Sequence, residues 1–308
     1  MSRRQLPKRE QRLNDPRTIR RDEPDGFLTN ETLKNGVRKL IPRTTRNWLR
    51  SPSKSMDWLW DSARFLCGST KTLEIFPGAH LICHPRAYKV YRRDQVDDVD
   101  QCAEFRSFVS HCNNNMLLYD IGAHFGIFSL AAAWFGGRAV AIDPSPEAIK
   151  MIRIESTLNS CADRISVIHG AVSDSNGVID MLSSGVFSNG YFKVANQRPK
   201  SEMTPVQAVT VDRMNLEFGP PTHIKIDVEG YEAAVLGGAR TTLGQFSPIL
   251  FLELHNEMII SAGENPCLAL DELTALGYNA FAPDGRSIDA KSILAKPIVR
   301  IVAKRETR

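Results

Sequence analysis

Apolar and polar positions change rhythm at Met116. From there a short apolar run to Ile121 meets Gly122, a small-residue segment with Ser129 and Ala131 to Ala133 follows, and a second run, Ala139 to Ile142, ends at Asp143-Pro144. This spacing predicts a strand, a helix and a second, parallel strand. Ser145 and Pro146 suit the N-cap and first turn of a helix running to about Leu158. Further strands are predicted at Ile165 to Ile168, Thr222 to Ile226, Ile249 to Leu254, Tyr278 to Ala282 and Ile298 to Val302, with a helix over Asp271 to Leu276. Gly177 to Leu182 and Val206 to Val211 read as additional extended segments. The alternation predicts an α/β fold with a doubly wound, mostly parallel seven-stranded sheet and helices on both faces.

Upstream the pattern is shorter-ranged. Ser55 to Cys67 carries Met56, Leu59, Trp60, Ala63 and Leu66 at helical spacing, and Val99 to Val109 also reads as a helix. Leu73 to Phe76 and His80 to Tyr91 read as strands of a hairpin-like region broken at Pro77-Gly78 and Pro85. Residues 1 to about 50 show little periodicity and are punctuated by Pro7, Pro16, Pro24 and Pro42. The expected organisation is a basic arm over 1–54, a helical and β cap section over 55–112 that can wall a substrate cleft, and the α/β domain over 113–305.

Composition narrows this picture. With 308 residues and 42% hydrophobic side chains, one large core plus an extension fits better than two equal domains. Through position 55, fifteen basic residues face six acidic ones, which leaves +9 there and −5 for the rest. Such an arm can touch an anionic surface, but it lacks interleaved aromatics and any nucleic-acid module, so a solvated tail is the expectation. The longest apolar candidate, Ile127 to Phe135, is far short of the roughly 20 residues that span a bilayer. With no secretory leader pattern and six scattered cysteines lacking a C-x-x-C pair, a soluble, cytoplasmic protein with reduced thiols is expected.

Chemistry is expected at the strand ends, since open α/β sheets bind ligands beyond the carboxyl ends of their strands. Gly122 and Gly126 allow a tight turn before a helix N-terminus, with Asp120 just ahead of it. Asp143 ends the second strand, where an acid can accept hydrogen bonds from ribose hydroxyls. Glycine plus acid alone leaves NAD and S-adenosylmethionine both open. However, the middle glycine of G-x-G-x-x-G is missing, and Asp120 would repel a pyrophosphate while tolerating a cationic methionine moiety, which favours the sulfonium cofactor.

Several motifs in order then carry a resemblance. They are Tyr119-Asp120-Ile121-Gly122-Ala123-His124-Phe125-Gly126, Ala141 to Pro146, Gly170 to Asp174, Thr210-Val211-Asp212, Ile224 through Glu232 to Ala239, and Glu253-Leu254-His255. Together they resemble the FkbM family of methyltransferases. The resemblance implies a class I, Rossmann-like methyltransferase fold, S-adenosyl-L-methionine as methyl donor, and O-methylation of a hydroxyl on a sugar, polyketide or other small molecule. Carried onto this sequence, it places the cofactor at Asp120, Gly122, Ala123, His124, Gly126, Asp143 and Asp174. Two positions depart from the family pattern: His124 stands where asparagine is common, and Asp143 where glutamate is. Asp174 is open to a second reading, as a turn residue in Ser173-Asp174-Ser175-Asn176-Gly177.

Asp227 and Glu229 close the fourth strand, where methyl transfer would occur. They can orient an acceptor, bind a divalent metal or cap the next helix, as can Glu232. The Asp-Val-Glu-Gly segment differs from the Asn/Asp-Pro-Pro-aromatic motif typical of base-modifying enzymes, which weakens a nucleic-acid substrate. His255, beyond the fifth strand and with a reference pKa of about 6.5, is the first choice of general base, against a structural histidine. No metal is assigned: His80-x-x-Cys83-His84 with His111-Cys112 matches no zinc signature. Two other readings stay open: a cofactor-binding module without turnover, suggested by His124, and a nucleic-acid methyltransferase recruited by the arm.

Overall fold

The computed structural model describes residues 54–92, 99–183, 192–194 and 203–305. The basic arm, except its last residue, and much of the expected insert between Ser183 and Pro205 lie outside the described residues.

The cap section begins with helix α1 (Lys54–Leu66) and the antiparallel hairpin β1 (Lys71–Phe76) and β2 (Ala79–Cys83). The stretch from His80 to Tyr91, expected as a strand interrupted at Pro85, instead changes type there. Strand gives way to helix α2 (Pro85–Arg92), followed by α3 (Val99–His111). Proline's fixed φ suits the first helical turn, and Ala87, Val90 and Tyr91, spaced three and four apart, all turn inward. In helix α1, Leu59 and Leu66 are exposed, while Asp61 is buried and pairs with Lys89 at 2.7 Å.

The α/β domain follows the predicted alternation. Its elements are β3 (Leu117–Ile121), α4 (Ile127–Trp134), β4 (Arg138–Asp143), α5 (Pro146–Leu158) and β5 (Ile165–His169). A side sheet follows, of β6 (Ala171–Val172), β7 (Gly177–Ser183), β8 (Phe192–Val194) and β9 (Met203–Val209). The chain then runs through α6 (Val211–Phe218), β10 (His223–Ile226), α7 (Glu232–Gly237), α8 (Arg240–Phe246), β11 (Ile249–His255), α9 (Asn256–Ser261), α10 (Leu268–Ala275), β12 (Tyr278–Phe281), α11 (Ala290–Leu294) and β13 (Ile298–Arg305). As expected, Ser145 caps α5, its hydroxyl accepting from the Ala148 amide at 3.3 Å. The extended segment expected through Val211 stops at Val209 because the Thr210 hydroxyl accepts from the Arg213 amide and starts α6.

The main sheet has seven strands in the order β12-β13-β11-β10-β3-β4-β5, with β13 antiparallel to both neighbours and the other pairs parallel. This is a doubly wound, Rossmann-like sheet. Strand residues alternate between two apolar layers. Leu118, Ala141 and Phe251 face the layer built with the cap, α3, α4 and α5, while Tyr119, Ile142 and Leu252 face the layer built with α6, α7, α8 and α10. Succession runs from β3 outward through β4 and β5, and from β10 in the other direction through β11. The reversal therefore falls between β3 and β10, where a crevice for ligands opens.

Candidate functional site

The β3–α4 loop is held by a close backbone approach. Gly122 has φ +75°, and a Cβ built there would lie 1.8 Å from the Asp227 carbonyl oxygen at the end of β10. Only glycine allows the two strand ends on either side of the switch point to come so near. The loop's amides are largely consumed by the protein itself. Gly122 and Ala123 both donate to the Ile142 carbonyl, at 3.0 and 3.2 Å, and Gly126 donates to the Ala123 carbonyl at 2.7 Å. The His124 amide donates to Asp143 Oδ2 at 2.8 Å. Gly126, with φ +80°, then occupies the N-cap position of α4.

Asp143 is the hinge of this arrangement. Its Oδ1 accepts from the Ser145 amide at 2.8 Å while Oδ2 holds the His124 amide, so one carboxylate ties the β3–α4 loop to the start of α5. Burial pushes its carboxyl up to about 7, against the pull of the two amide hydrogen bonds. Each oxygen keeps a second lone pair for a ligand hydroxyl. Asp120 sits differently from an acid lining an open loop. It is buried, and its Oδ2 accepts from the amide and hydroxyl of Ser129, at 3.1 and 2.6 Å, bracing α4 from below.

His124 has a left-handed backbone, φ 49°, and its ring stacks on Phe125 with centroids 4.2 Å apart. The cap reaches this point: the Tyr91 hydroxyl donates to the Phe125 carbonyl, and the Arg86 guanidinium lies 5.5 Å from the Phe125 ring centre. Asp174 follows β6 in the side sheet, and its Oδ1 accepts from Ser173 and Ser175, both at 3.1 Å. Its place is against the Gly237-Gly238 turn that ends α7, where a Cβ on Gly238 would come 3.1 Å from the Asp174 Cα.

At the ends of β10 and β11 the structure gathers Asp227, Glu229 and His255, with one ligand-type atom of each within 4.8 Å of the others. His255 donates from Nδ1 to Glu232 Oε1 at 2.9 Å, and its Nε2 faces Asp227 Oδ1 and Glu253 Oε1, each at 3.7 Å. Glu232 also accepts from the Gly230 amide at 3.0 Å, which folds the turn after β10 around the histidine. That turn includes Glu229 with φ 57° and Gly230 with φ 99°. Burial works against charging the imidazole, but the Glu232 hydrogen bond and the charges of Asp227, Glu232 and Glu229 outweigh it and raise its pKa to about 9. Burial, then the neighbouring Glu253, pushes the Asp227 carboxyl upward, with Lys225 and His255 opposing.

Beneath this cluster runs a buried ionic chain that sequence reasoning did not single out. Lys225 Nζ lies 3.0 Å from Glu104 of α3, 3.7 Å from Glu253 and 3.9 Å from Asp227. Arg300 of β13 grips Glu253 through two nitrogens at 3.0 and 3.2 Å and lies 3.5 Å from Glu104. Lys225, Asp227, Glu253 and His255 share one sheet face through the strand alternation. That period-two pattern was readable; the partner on α3 was not, because nothing in the sequence tells which helix covers that face.

A model of the methyltransferase FkbM domain matches residues 120–279, more than half of the chain, and the chain belongs to that methyltransferase family. No curated protein matches it. Among solved structures it is similar to a methyltransferase FkbM from Methylobacillus flagellatus KT, at 14% identity and TM-score 0.42, over 71% of this chain and 58% of that one. It is also similar to an O-methyltransferase from Bacillus cereus in complex with SAH, at 13% identity and TM-score 0.40, over 72% of this chain and 88% of that one. A precorrin-6y C5,15-methyltransferase from Geobacter metallireducens GS-15 matches at 11% identity and TM-score 0.40, over 68% of this chain and 90% of that one. The chain thus spans less than two thirds of the first of these proteins. No helix among the described residues is long and apolar enough to cross a membrane.

Proposed function

We propose that the protein is an S-adenosylmethionine-dependent O-methyltransferase acting on a hydroxyl of a small molecule or glycan. The observation that carries this reading is the use of the β3–α4 loop amides. Those of Gly122, Ala123, His124 and Gly126 are spent on protein acceptors, so they do not offer the row of donors that a dinucleotide pyrophosphate needs. The groups around the crevice are carboxylates, which suit a ribose and a cation. Asp143 receives the ribose hydroxyls, and Gly122, Ala123, His124 and Gly126 shape the pocket beside it, with Asp120 securing the helix behind. Asp174 belongs to the adenine end on this reading. When bound, S-adenosylmethionine supplies an electrophilic methyl group on a sulfonium.

The chain's own task is to align an acceptor oxygen and remove its proton. Asp227 takes that proton: 30% of its side chain is accessible, whereas His255 beside it is only 6% exposed. On this reading Asp227 rather than His255 is the base, and His255, fixed by Glu232, stands behind that carboxylate. Glu229 orients the acceptor.

Incubation with methyl-labelled S-adenosylmethionine and a panel of glycosides and polyhydroxylated natural products tests this. Wild-type protein is expected to label at least one member. Asp227→Asn should lower the rate by about 100-fold or more while S-adenosylhomocysteine affinity stays within about twofold. Undiminished labelling by Asp227→Asn would remove Asp227 from its role, and labelling confined to nucleic acid would contradict the acceptor class.

A further inference from the structure

We propose that Asp227, Glu229 and His255 form a binding site for a divalent cation at the acceptor end of the crevice. The inference rests on the reading of this cluster as the place where methyl transfer occurs, and it adds a metal where the sequence pattern assigned none. Two carboxylates and an imidazole, each offering one atom within a 4.8 Å span, are a set that can close on one ion at ligand distances of roughly 2.0–2.3 Å. Among the described residues this is the one grouping of its kind.

A second observation points the same way. His255 is buried to 6% exposure, and its Nδ1 is engaged by Glu232 at 2.9 Å. Its Nε2 is directed into the cluster and makes no hydrogen bond among the described residues, the nearest carboxylate oxygens standing off at 3.7 Å. A carboxylate that fixes one imidazole nitrogen so that the other faces an acid pair is the arrangement by which proteins orient histidine ligands. Glu232 is itself fully buried and held by the Gly230 amide, so the orientation is rigid. The charge balance agrees. Asp227, Glu229, Glu232 and Glu253 surround the one imidazole, while Arg300 reaches Glu104 and Glu253, and Lys225 stands 3.9 Å from Asp227 Oδ2, the oxygen other than the one that faces His255.

A mixed carboxylate and imidazole set suits a first-row ion such as Mn²⁺. With three protein ligands, positions stay open for water and for the acceptor's hydroxyl oxygen. A bound hydroxyl loses its proton more readily. Each residue supplies one ligand atom, and the proton passes to the Asp227 carboxylate, in keeping with the role given to Asp227 above.

The test uses the full chain after treatment with EDTA and gel filtration. Loss of the free Mn²⁺ paramagnetic resonance signal is followed as protein is added, in parallel with calorimetric binding of S-adenosylhomocysteine. One Mn²⁺ per chain is expected, with at least tenfold weaker binding in both Glu229→Gln and His255→Ala. The Tm of Glu229→Gln should stay within a few degrees of wild type, whereas His255→Ala, which leaves the buried Glu232 without its imidazole partner, should lower it, and S-adenosylhomocysteine affinity should stay within about twofold in both. No uptake of Mn²⁺ at millimolar concentration, or uptake unchanged in the two variants, overturns the metal site. In either of those cases, normal S-adenosylhomocysteine binding leaves the methyltransferase reading intact. Failure to bind S-adenosylhomocysteine, whatever the metal does, counts against that reading instead.

Discussion

Gly122→Ala should remove the cofactor site and destabilise the domain. The added Cβ would stand 1.8 Å from the Asp227 carbonyl oxygen and 2.8 Å from its carbon. Both are backbone atoms of a central strand, so no side-chain rotation relieves the clash. The φ of +75° adds strain for any residue bearing a Cβ. A loss of about 3 kcal/mol is expected, lowering Tm by roughly 10 °C. The separation of β3 and β10 at the switch point must also widen. That shifts the Gly122 and Ala123 amides from Ile142 and moves Asp227, so S-adenosylhomocysteine affinity should fall by about 100-fold or more. Differential scanning calorimetry and titration on the same sample check both halves. A variant that keeps wild-type Tm and affinity would show that the close approach is dispensable.

Lys225→Met should be comparably severe, for an electrostatic reason. Lys225 is almost fully buried, with its ammonium also 5.3 Å from the Phe128 ring, and it is the closest cation to Glu104, itself wholly buried. Removing it leaves a carboxylate in the core with only Arg300, 3.5 Å away, as a partial counter-charge. Breaking a buried pair in this way costs about 3–5 kcal/mol. Lys225→Met combined with Glu104→Leu should recover most of that loss, because Glu253 keeps its two-pronged contact with Arg300. Chemical denaturation of the single and double variants decides the matter. A single variant as stable as wild type would mean that the ionic chain contributes little.

Most of the sheet was legible because a buried parallel strand is a short apolar run, and each such run here stops at a glycine, an aspartate or a histidine. Met116 to Ile121, Ala139 to Ile142 and Ile249 to Leu254 needed nothing more than that. Pro85 misled for a specific reason: proline breaks a strand and begins a helix equally well, and only the inward turn of Ala87, Val90 and Tyr91 separates the two. Helices α7, α8, α9 and α11 went unread because at five to seven residues they are too short to establish a period. At the site, the strand ends announced Asp143, Asp227 and His255. The sequence did not say that Asp120 would turn inward to Ser129, or that Glu232 would reach His255 rather than merely cap α7. Those outcomes depend on tertiary packing: α4 closing over β3, and the Glu229-Gly230 turn folding back over β11. Glu104 was invisible as a partner of Lys225 because the contact joins the cap to the far half of the domain.

The account turns on Asp143 and the β3–α4 loop as a site for an adenosine-bearing sulfonium rather than a dinucleotide. Calorimetric titration of the full chain with S-adenosylhomocysteine and with NAD, repeated with Asp143→Ala, tests this most directly. The prediction is one-site binding of S-adenosylhomocysteine and no heat with NAD. Loss of charge-assisted hydrogen bonds worth about 1.5–3 kcal/mol each should weaken Asp143→Ala by roughly 10- to 100-fold. Binding of NAD without S-adenosylhomocysteine, or equal affinity in Asp143→Ala, would contradict it.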